Sequence, residues 1–199
     1  MTVNDNVYTT LRNHIERFVE LTDAEWELLL PHLEVKTINK NALFITEGKR
    51  AFDVAFVIDG MFRQFYTKDG EDKTTYFYFE NHLMSSYFSC ITGKPSLITI
   101  EALSKATYIS FPYKVLQHLF ENSMAWQKFG RLLAEYLGMG LEERMVSLLL
   151  QSPEERYIDL LNSNKKKIIE RIPQHYIANY LGITPVSMSR IRNRLLKSK

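Results

Sequence analysis

Residues 174–197 read QHYIANYLGITPVSMSRIRNRLLK, a pattern typical of two short helices joined by a tight turn. Gly182 can adopt the positive φ that often follows a helix end, and Thr184 and Pro185 are residue types that cap and open a second helix. The apolar positions of the first helix repeat at helical spacing: Ile177, Ala178 and Leu181. The small side chain of Ala178 also allows two helices to cross closely, as a helix-turn-helix requires.

The second helix of this stretch is amphipathic. One side carries apolar residues, Met188, Ile191 and Leu195, and the other side carries hydroxyl, amide and guanidinium groups. These polar groups are the ones that contact phosphates and base edges in DNA. The residues predicted to contact DNA are Gln174, Thr184, Ser187, Ser189, Arg190, Arg192, Asn193 and Arg194. A helical hairpin with a solvated basic face would show the same pattern.

The distribution of charge favours the DNA-binding interpretation. Residues 165–199 contain nine basic side chains and one acidic side chain, out of 25 basic and 23 acidic in the whole chain. The remaining 164 residues therefore contain 16 basic and 22 acidic side chains. A net charge of +2 thus combines a tail of +8 with a remainder of −6, which is expected of a polyanion-binding segment attached to a domain with another task.

The composition of the chain is that of a globular protein. Its 199 residues, 45% of them hydrophobic, suffice for one large domain or two small ones. Cys90 is the single cysteine, which excludes an internal disulfide and a cysteine-rich zinc or iron-sulfur site within one chain. The polar N-terminus has no apolar signal core, and no apolar run approaches the length of a membrane span. We therefore expect a cytoplasmic protein that does not enter a membrane.

The first half of the chain predicts helices followed by a β domain. Residues 8–33 show helical spacing, in which a capping pattern at Thr22 opens a further helix that Pro31 ends or kinks. From about Lys36, short runs rich in β-branched and aromatic residues alternate with turn signals. These runs are residues 43–46, 54–58, 61–67, 74–79, 97–103 and 107–111. Many short strands without intervening helices predict an antiparallel sandwich or jelly roll, and hence an α+β fold.

Helical spacing returns after Pro112. A short helix is predicted at residues 114–120, and Ser123 can cap a longer one that runs to about Leu150. Its apolar stripe consists of Phe129, Leu132, Leu133, Tyr136, Leu137, Leu141, Met145 and Leu148. The stripe could pack within the chain, but we favour pairing with its copy in a dimer. A further helix at residues 154–161, a linker at 162–164 and an extended segment, IIERI at 168–172, are predicted before the helix-turn-helix.

A β-roll, a long helix and a helix-turn-helix in this order resemble the Crp/Fnr family of bacterial transcription regulators. The clearest local signatures are IPQHYIANYLGITPVSMSRIR at 172–192 and the VAFVIDGMFRQFY hairpin at 54–66. The resemblance implies three parts: a cyclic-nucleotide-binding-like β-roll at 1–122, a central dimerisation helix at 123–150 and a winged-helix-like helix-turn-helix domain at 151–199.

The same resemblance implies the partners of the protein. A homodimer would place two recognition helices in successive major grooves of a near-palindromic operator, about 34 Å apart. The expected partners are double-stranded DNA, a second copy of the chain and, as a further candidate, RNA polymerase. Arg190 falls at the family's base-reading arginine, whereas Pro185 and Val186 replace a polar pair that often reads bases, so the operator should differ from that of cyclic-AMP receptor protein.

The family's cyclic-nucleotide pocket has few counterparts in this sequence. Relatives hold the nucleotide phosphate with a Gly-Glu-Leu turn and an arginine, whereas this chain has no arginine between Arg63 and Arg131. Usual cyclic-AMP binding is therefore not expected, and no cofactor is assigned. The candidate residues for binding another effector are Ser85, Ser86, Lys94, Ser96 and Phe129. Lys94, between Gly93 and Pro95, is more typical of a solvated turn.

Three classes of function are compatible with these features. We favour a dimeric, sequence-specific transcription regulator over a small-molecule or nucleotide-binding module without specific DNA readout. An enzyme on the β-roll, such as a cupin, would need clustered His and Glu ligands that the sequence lacks. His82, His118 and His175 show no metal-ligand spacing. Cys90 is either a redox-reactive thiol or, as we favour, an inert packed residue, and no residue is predicted to be catalytic.

Overall fold

The structure is a computed structural model that describes residues 3–162 and 166–197. Two compact units make up the chain. The first comprises Met1–Gln64 and Phe77–Leu137, and the second comprises Phe65–Tyr76 and Gly138–Lys199. The second unit is therefore assembled from two separate parts of the sequence.

The helices of the described residues are α1 (Val3–Glu16), α2 (Asp23–Glu27), a short 3-10 helix (Leu30–His32), α3 (Tyr87–Thr92), α4 (Tyr113–Asn122), α5 (Met124–Leu150), α6 (Pro153–Asn162), α7 (Lys166–Arg171), α8 (Gln174–Tyr180) and α9 (Pro185–Lys197). The strands are β1 (Glu34–Ile38), β2 (Leu43–Ile45), β3 (Asp53–Asp59), β4 (Phe62–Lys68), β5 (Glu71–Tyr78), β6 (Leu83–Met84), β7 (Thr99–Ala102) and β8 (Ala106–Pro112).

The strands form two four-stranded sheets. The orders are β1-β8-β3-β6 in one sheet and β2-β7-β4-β5 in the other. In the first sheet β8 pairs antiparallel with two strands, and Ile109 lies opposite both Val35 and Phe56. The sequence-based prediction of an α+β fold with a two-sheet β-roll is confirmed.

The strand β3 has a hydrophobic residue at each of five successive positions because both of its faces are covered. Successive side chains of a strand point to opposite sides. Phe56 packs in a core with the N-terminal helices, α4 and the start of α5, which includes Leu11, Leu29 and Trp126. Val57 packs instead in a second core with residues of both sheets, including Phe62, Ile100 and Tyr108. This double burial explains why the VAFVI run does not alternate between polar and apolar residues.

The helical predictions are confirmed in part. Thr22 and Glu25 form the predicted capping box: the Glu25 N–H donates to Thr22 Oγ1 at 3.3 Å and the Thr22 N–H donates to Glu25 Oε2 at 3.0 Å. As predicted, a second helix opens after Thr22, and a 3-10 turn at Leu30–His32 replaces the continuation of that helix around Pro31. β1, β6 and α3 were not predicted. Within the described residues, no helix combines the length and the apolar character needed to cross a membrane.

The segment at 168–172 was predicted to be extended, and this prediction is wrong. Residues up to Arg171 form α7. Ile168 and Ile172 are four residues apart, lie on the same side of a helical turn and are 7% and 4% exposed. Their burial outweighs the β propensity of branched side chains. Of the predicted linker, Asn162 ends α6 and positions 163 and 164 lie outside the described residues.

Candidate DNA-binding interface

The turn between α8 and α9 is built by backbone hydrogen bonds that a glycine makes possible. Gly182 has φ of +74°, and its N–H donates to the Asn179 carbonyl at 3.0 Å. The next N–H, of Ile183, donates to the Ala178 carbonyl, also at 3.0 Å. This pair of bonds satisfies carbonyls at the end of α8. The Ser187 N–H then donates to Thr184 Oγ1 at 3.2 Å, which caps the start of α9 as predicted.

The two helices of this hairpin contact each other through their predicted apolar faces. The buried residues are Ile177, Ala178 and Leu181 of the first helix and its end, and Met188 and Ile191 of the second, none more than 5% exposed. Ala178 is fully buried, which agrees with its predicted role at the helix crossing. The helix-turn-helix predicted from residues 174–197 is thus confirmed as a structure.

Most of the residues predicted to contact DNA are accessible. Gln174, Thr184, Ser189, Arg190, Asn193 and Arg194 are exposed, and Ser187 and Arg192 are half-buried. On α9, Arg190 and Asn193 are separated by three residues and therefore lie on one face. Neither Arg190 nor Arg192 has an ion-pair partner among the described residues. The unpaired guanidinium of Arg190, beside the Asn193 amide on the exposed face of a capped helix, is suited to phosphate or guanine.

Three of the predicted residues are already engaged within the unit. The hydroxyl groups of Thr184 and Ser187 lie 3.0 Å apart at the cap of α9. Arg194 donates from Nη2 to Glu154 Oε2 on α6 at 2.6 Å. Arg194 therefore ties α9 to α6 in this structure.

Two arginines that sequence reasoning missed hold the end of α8. Arg156 is 9% exposed, and it donates from Nη2 to the Leu181 carbonyl at 2.8 Å and from Nη1 to the Gln151 carbonyl at 2.6 Å. Arg144 donates to the Tyr180 carbonyl and lies over the Tyr180 ring at 3.8 Å. Burial lowers the pKa of Arg144, an effect that Tyr180 opposes and the charge of Arg156 reinforces. Both cations complement the negative end of the helix dipole.

The candidate effector-binding residues of the β-roll are hydrogen-bonded to each other and to the backbone. Ser86 and Ser96 are each 2% exposed, and their Oγ atoms lie 2.8 Å apart. Ser96 Oγ is also 2.8 Å from the Ile98 carbonyl. The structure thus brings two of the predicted serines together and satisfies their hydroxyl groups internally.

The other candidates have separate surroundings. Lys94 is exposed, and its carbonyl accepts a hydrogen bond from Ser89 Oγ at 2.6 Å. Phe129 is 1% exposed and makes edge contacts with the rings of Phe18 and Trp126. It is therefore a core residue.

Cys90 is half-buried, and its Sγ lies 3.2 Å from Ser85 Oγ. Burial raises the pKa of the Cys90 thiol, the Ser85 hydrogen bond opposes the rise and the charge of Asp53 adds to it. A raised pKa leaves less thiolate at neutral pH, which supports the interpretation of Cys90 as an inert residue. Among the described residues no three His, Cys, Asp or Glu side chains are grouped as metal ligands.

Comparisons with known proteins give matches at the level of structure. Neither the protein-family models nor the curated proteins yield a match to the sequence. A solved structure described as a transcriptional regulator of the Crp/Fnr family from Eubacterium rectale superimposes with a TM-score of 0.70 at 18% identity, covering 89% of this chain and 85% of that one. FixK2 from Bradyrhizobium japonicum gives a TM-score of 0.70 at 18% identity, covering 83% and 85%.

The c-di-GMP-responsive regulator CLP from Xanthomonas campestris gives a TM-score of 0.68 at 15% identity, covering 89% of this chain and 93% of that one. These matches extend over both units of the chain, and at such identities they establish a shared fold.

Proposed function

We propose that this chain, which has the fold of the Crp/Fnr regulators, is a DNA-binding transcription regulator of that type. The observation that carries the proposal is the exposed face of α9 with Arg190 and Asn193, on which Arg190 has no ion-pair partner among the described residues. The strongly basic composition of residues 165–199 supports it, because a basic face adds the phosphate contacts that dominate affinity. No observation in the β-roll favours the alternative of a nucleotide-binding module.

In this proposal the protein acts as a homodimer, and the exposed apolar side chains of α5 support this assembly. Large apolar side chains of α5 are exposed from Tyr136 onward: Tyr136 58%, Leu137 43%, Leu141 71%, Met145 56%, Leu148 48% and Leu149 74%. Residues earlier on this helix, Trp126 and Phe129, are buried in their own unit. An apolar stripe of this length is characteristic of a helix that pairs with its copy.

Sedimentation tests the dimer. Leu137→Glu should dissociate it, because a carboxylate would be buried without a partner. Lys128→Glu, a charge change at an exposed site on the same helix, should leave it intact. A monomeric wild type at micromolar concentration would refute the dimer.

The operator is tested by selecting bound duplexes from a random DNA library at near-physiological salt. A dimer with two recognition helices should enrich an inverted repeat whose half-sites lie about one helical turn apart. Salt-sensitive binding to every duplex alike would contradict specific readout. With an operator in hand, transcription in vitro with purified RNA polymerase would test whether the polymerase is a partner and whether the protein activates or represses.

A further inference from the structure

The helix-turn-helix unit contains a segment from the middle of the β-roll sequence. Residues Phe65–Tyr76, called here the hairpin segment, form the outer parts of β4 and β5 and group with residues 138–199 in one compact unit. The strands reverse direction through Asp69 and Gly70, which have φ of +54° and +78°. These left-handed conformations are typical of a tight hairpin turn.

One side chain of α8 joins this segment to the helix-turn-helix. Asn179 Oδ1 accepts a hydrogen bond from the Thr74 N–H at 2.6 Å, and Asn179 Nδ2 donates to the Asp72 carbonyl at 2.7 Å. Residues two apart on a strand present their backbone groups to the same side. The amide therefore makes the two bonds that a neighbouring strand would make with β5. An amide supplies one acceptor and a donor side by side, so no other side chain of this length matches both backbone groups.

The contact lies in a well-packed part of the unit. Thr74 is 4% exposed, and Asn179 stands between Ala178 and Tyr180, which are 0% and 7% exposed. The last turn of α8 is thus held at three successive positions: Asn179 by the hairpin segment, Tyr180 by Arg144 and Leu181 by Arg156. Because Ala178 and Leu181 also form the contact with α9, the orientation of α9 depends on how firmly this turn is held.

We propose that Asn179 is a positioning residue for DNA binding. It fixes α8 to the hairpin segment, so that residues 65–76 contribute to the function of the DNA-binding unit. The inference rests on the proposed function. Asn179 acts through the backbone of Asp72 and Thr74 and not through a contact with DNA. A helix-turn-helix reads bases well only when its two helices are held in a fixed arrangement before binding.

The experiment uses the full chain and two readouts, amide hydrogen exchange and DNA affinity over a range of salt concentrations. Asn179→Ala should make the Thr74 amide exchange at least tenfold faster, because its acceptor is lost. DNA should bind about five- to tenfold more weakly at every salt concentration, with an unchanged slope of log affinity against log salt, since no phosphate contact is removed. Asn179→Asp retains an acceptor but cannot donate to the Asp72 carbonyl, so it should give an intermediate loss.

The matched control is Asn122→Ala. The Asn122 amide also donates to a backbone carbonyl, that of His118 at 2.8 Å, but this bond is local to α4 in the other unit. The Asn122→Ala variant should change neither the exchange of the Thr74 amide nor the affinity for DNA.

Unchanged exchange of Thr74 in Asn179→Ala would overturn the proposal, and so would faster exchange with unaltered DNA affinity. A salt slope lowered by about one unit would also overturn it, because Asn179 would then be a phosphate contact. If the wild type bound no duplex, the proposed function would fail. Independently of that result, unchanged exchange of Thr74 and of the α8 amides in Asn179→Ala would exclude the role of Asn179 in holding the hairpin segment.

Discussion

Gly60 shows how one residue type is dictated by a close approach of two backbones. It follows β3 with φ of +100°, and a Cβ placed there would lie 2.5 Å from the Cβ and 2.9 Å from the Cα of Ala106. Ala106 begins β8 and is 1% exposed, so it has no room to move. The Asp59-Gly60 turn was visible in the sequence, but the contact with β8, 46 residues away, was not.

We therefore predict that Gly60→Ala lowers the unfolding free energy by about 2–4 kcal/mol, through backbone strain and overpacking together. Gly93→Ala is the control, because Gly93 has φ of +67° with no atom within 4 Å of the added Cβ. It should cost only about 1 kcal/mol. Urea denaturation followed by tryptophan fluorescence measures both, since Trp26 and Trp126 are buried in the same unit as both glycines. Equal losses would show that the approach to Ala106 is not tight.

Arg190 is the residue on which sequence specificity is expected to depend. It is exposed and has no ion-pair partner among the described residues, so both edges of its guanidinium are available to a guanine. Arg190→Ala should cost roughly 1–3 kcal/mol of binding free energy on the preferred operator and relax the preference at one base pair. Lys166→Ala, at an exposed lysine of α7, should instead weaken all duplexes alike and lower the salt slope by about one unit. Titrations of matched and mismatched duplexes would separate the two; an Arg190→Ala protein with wild-type affinity and specificity would contradict this docking.

The helix-turn-helix could be predicted from sequence because its determinants are local. The cap of α9 involves Thr184 and Ser187, three residues apart, and the turn is closed by Gly182. The engagement of Arg194 could not be predicted, since its partner Glu154 lies 40 residues earlier. A basic side chain in a helical pattern can be assigned to a face, but its availability for DNA depends on carboxylates that only the tertiary structure brings near.

Among the elements, α5, α6 and α8 are joined by a single buried side chain. The Arg156 guanidinium on α6 donates to the Ser147 and Gln151 carbonyls at the end of α5 and to the Leu181 carbonyl after α8. Replacing it would remove the guanidinium donor from the Gln151 and Leu181 carbonyls, whereas the Ser147 carbonyl would still accept from the Gln151 N–H. This role could not be predicted from the sequence, since a lone arginine on a helix is most often exposed.

Arg156→Leu should lower the unfolding free energy of the second unit by about 2–4 kcal/mol, because the carbonyls of buried Leu181 and half-buried Gln151 lose a charged donor. Arg194→Leu is a matched control on an exposed ion pair and should cost no more than about 1 kcal/mol. Chemical denaturation followed by amide exchange of α8 would resolve this unit from the other. A loss for Arg156→Leu as small as that of the control would mean that water replaces the guanidinium at little cost.

At the scale of the whole molecule, the order of the parts could be predicted from the sequence. The assignment of residues 65–76 to the second unit could not. Alternating β runs, a long helix and a helix-turn-helix predicted the layout that the structure shows. The unit that joins Phe65–Tyr76 to residues 138–199 contains two hydrogen bonds between the Asn179 side chain and the backbone of Asp72 and Thr74, more than 100 residues earlier in the chain. Hydrophobic periodicity carries no information about such a contact, because it involves one polar side chain and two backbone groups.

The stability of the first unit should depend on pH through a half-buried histidine. The His14 ring lies 5.9 Å from the Phe18 ring and 5.1 Å from the Phe56 ring, and its Nδ1 has no hydrogen-bond partner among the described residues. Burial lowers the pKa of His14 to about 4, and the charges of Arg17 and His82 act in the same direction. In the unfolded chain the pKa returns to about 6.5. The unfolded state therefore binds this proton at a higher pH than the folded state does.

It follows that protonation of His14 does not change the stability well above pH 6.5. The unfolding free energy decreases as the pH falls from 6.5 towards 4. Because the ring is partly accessible, we expect a loss on the order of 1–2 kcal/mol. Urea denaturation between pH 7.5 and 5, followed by tryptophan fluorescence, measures this decrease in unfolding free energy, the acid limb of the stability curve. The interval lies above the range in which most carboxylates titrate. His14→Leu should flatten the acid limb, whereas His118→Gln, at an exposed histidine of the same unit, should not. An acid limb of wild-type slope in His14→Leu would assign the pH dependence to another group.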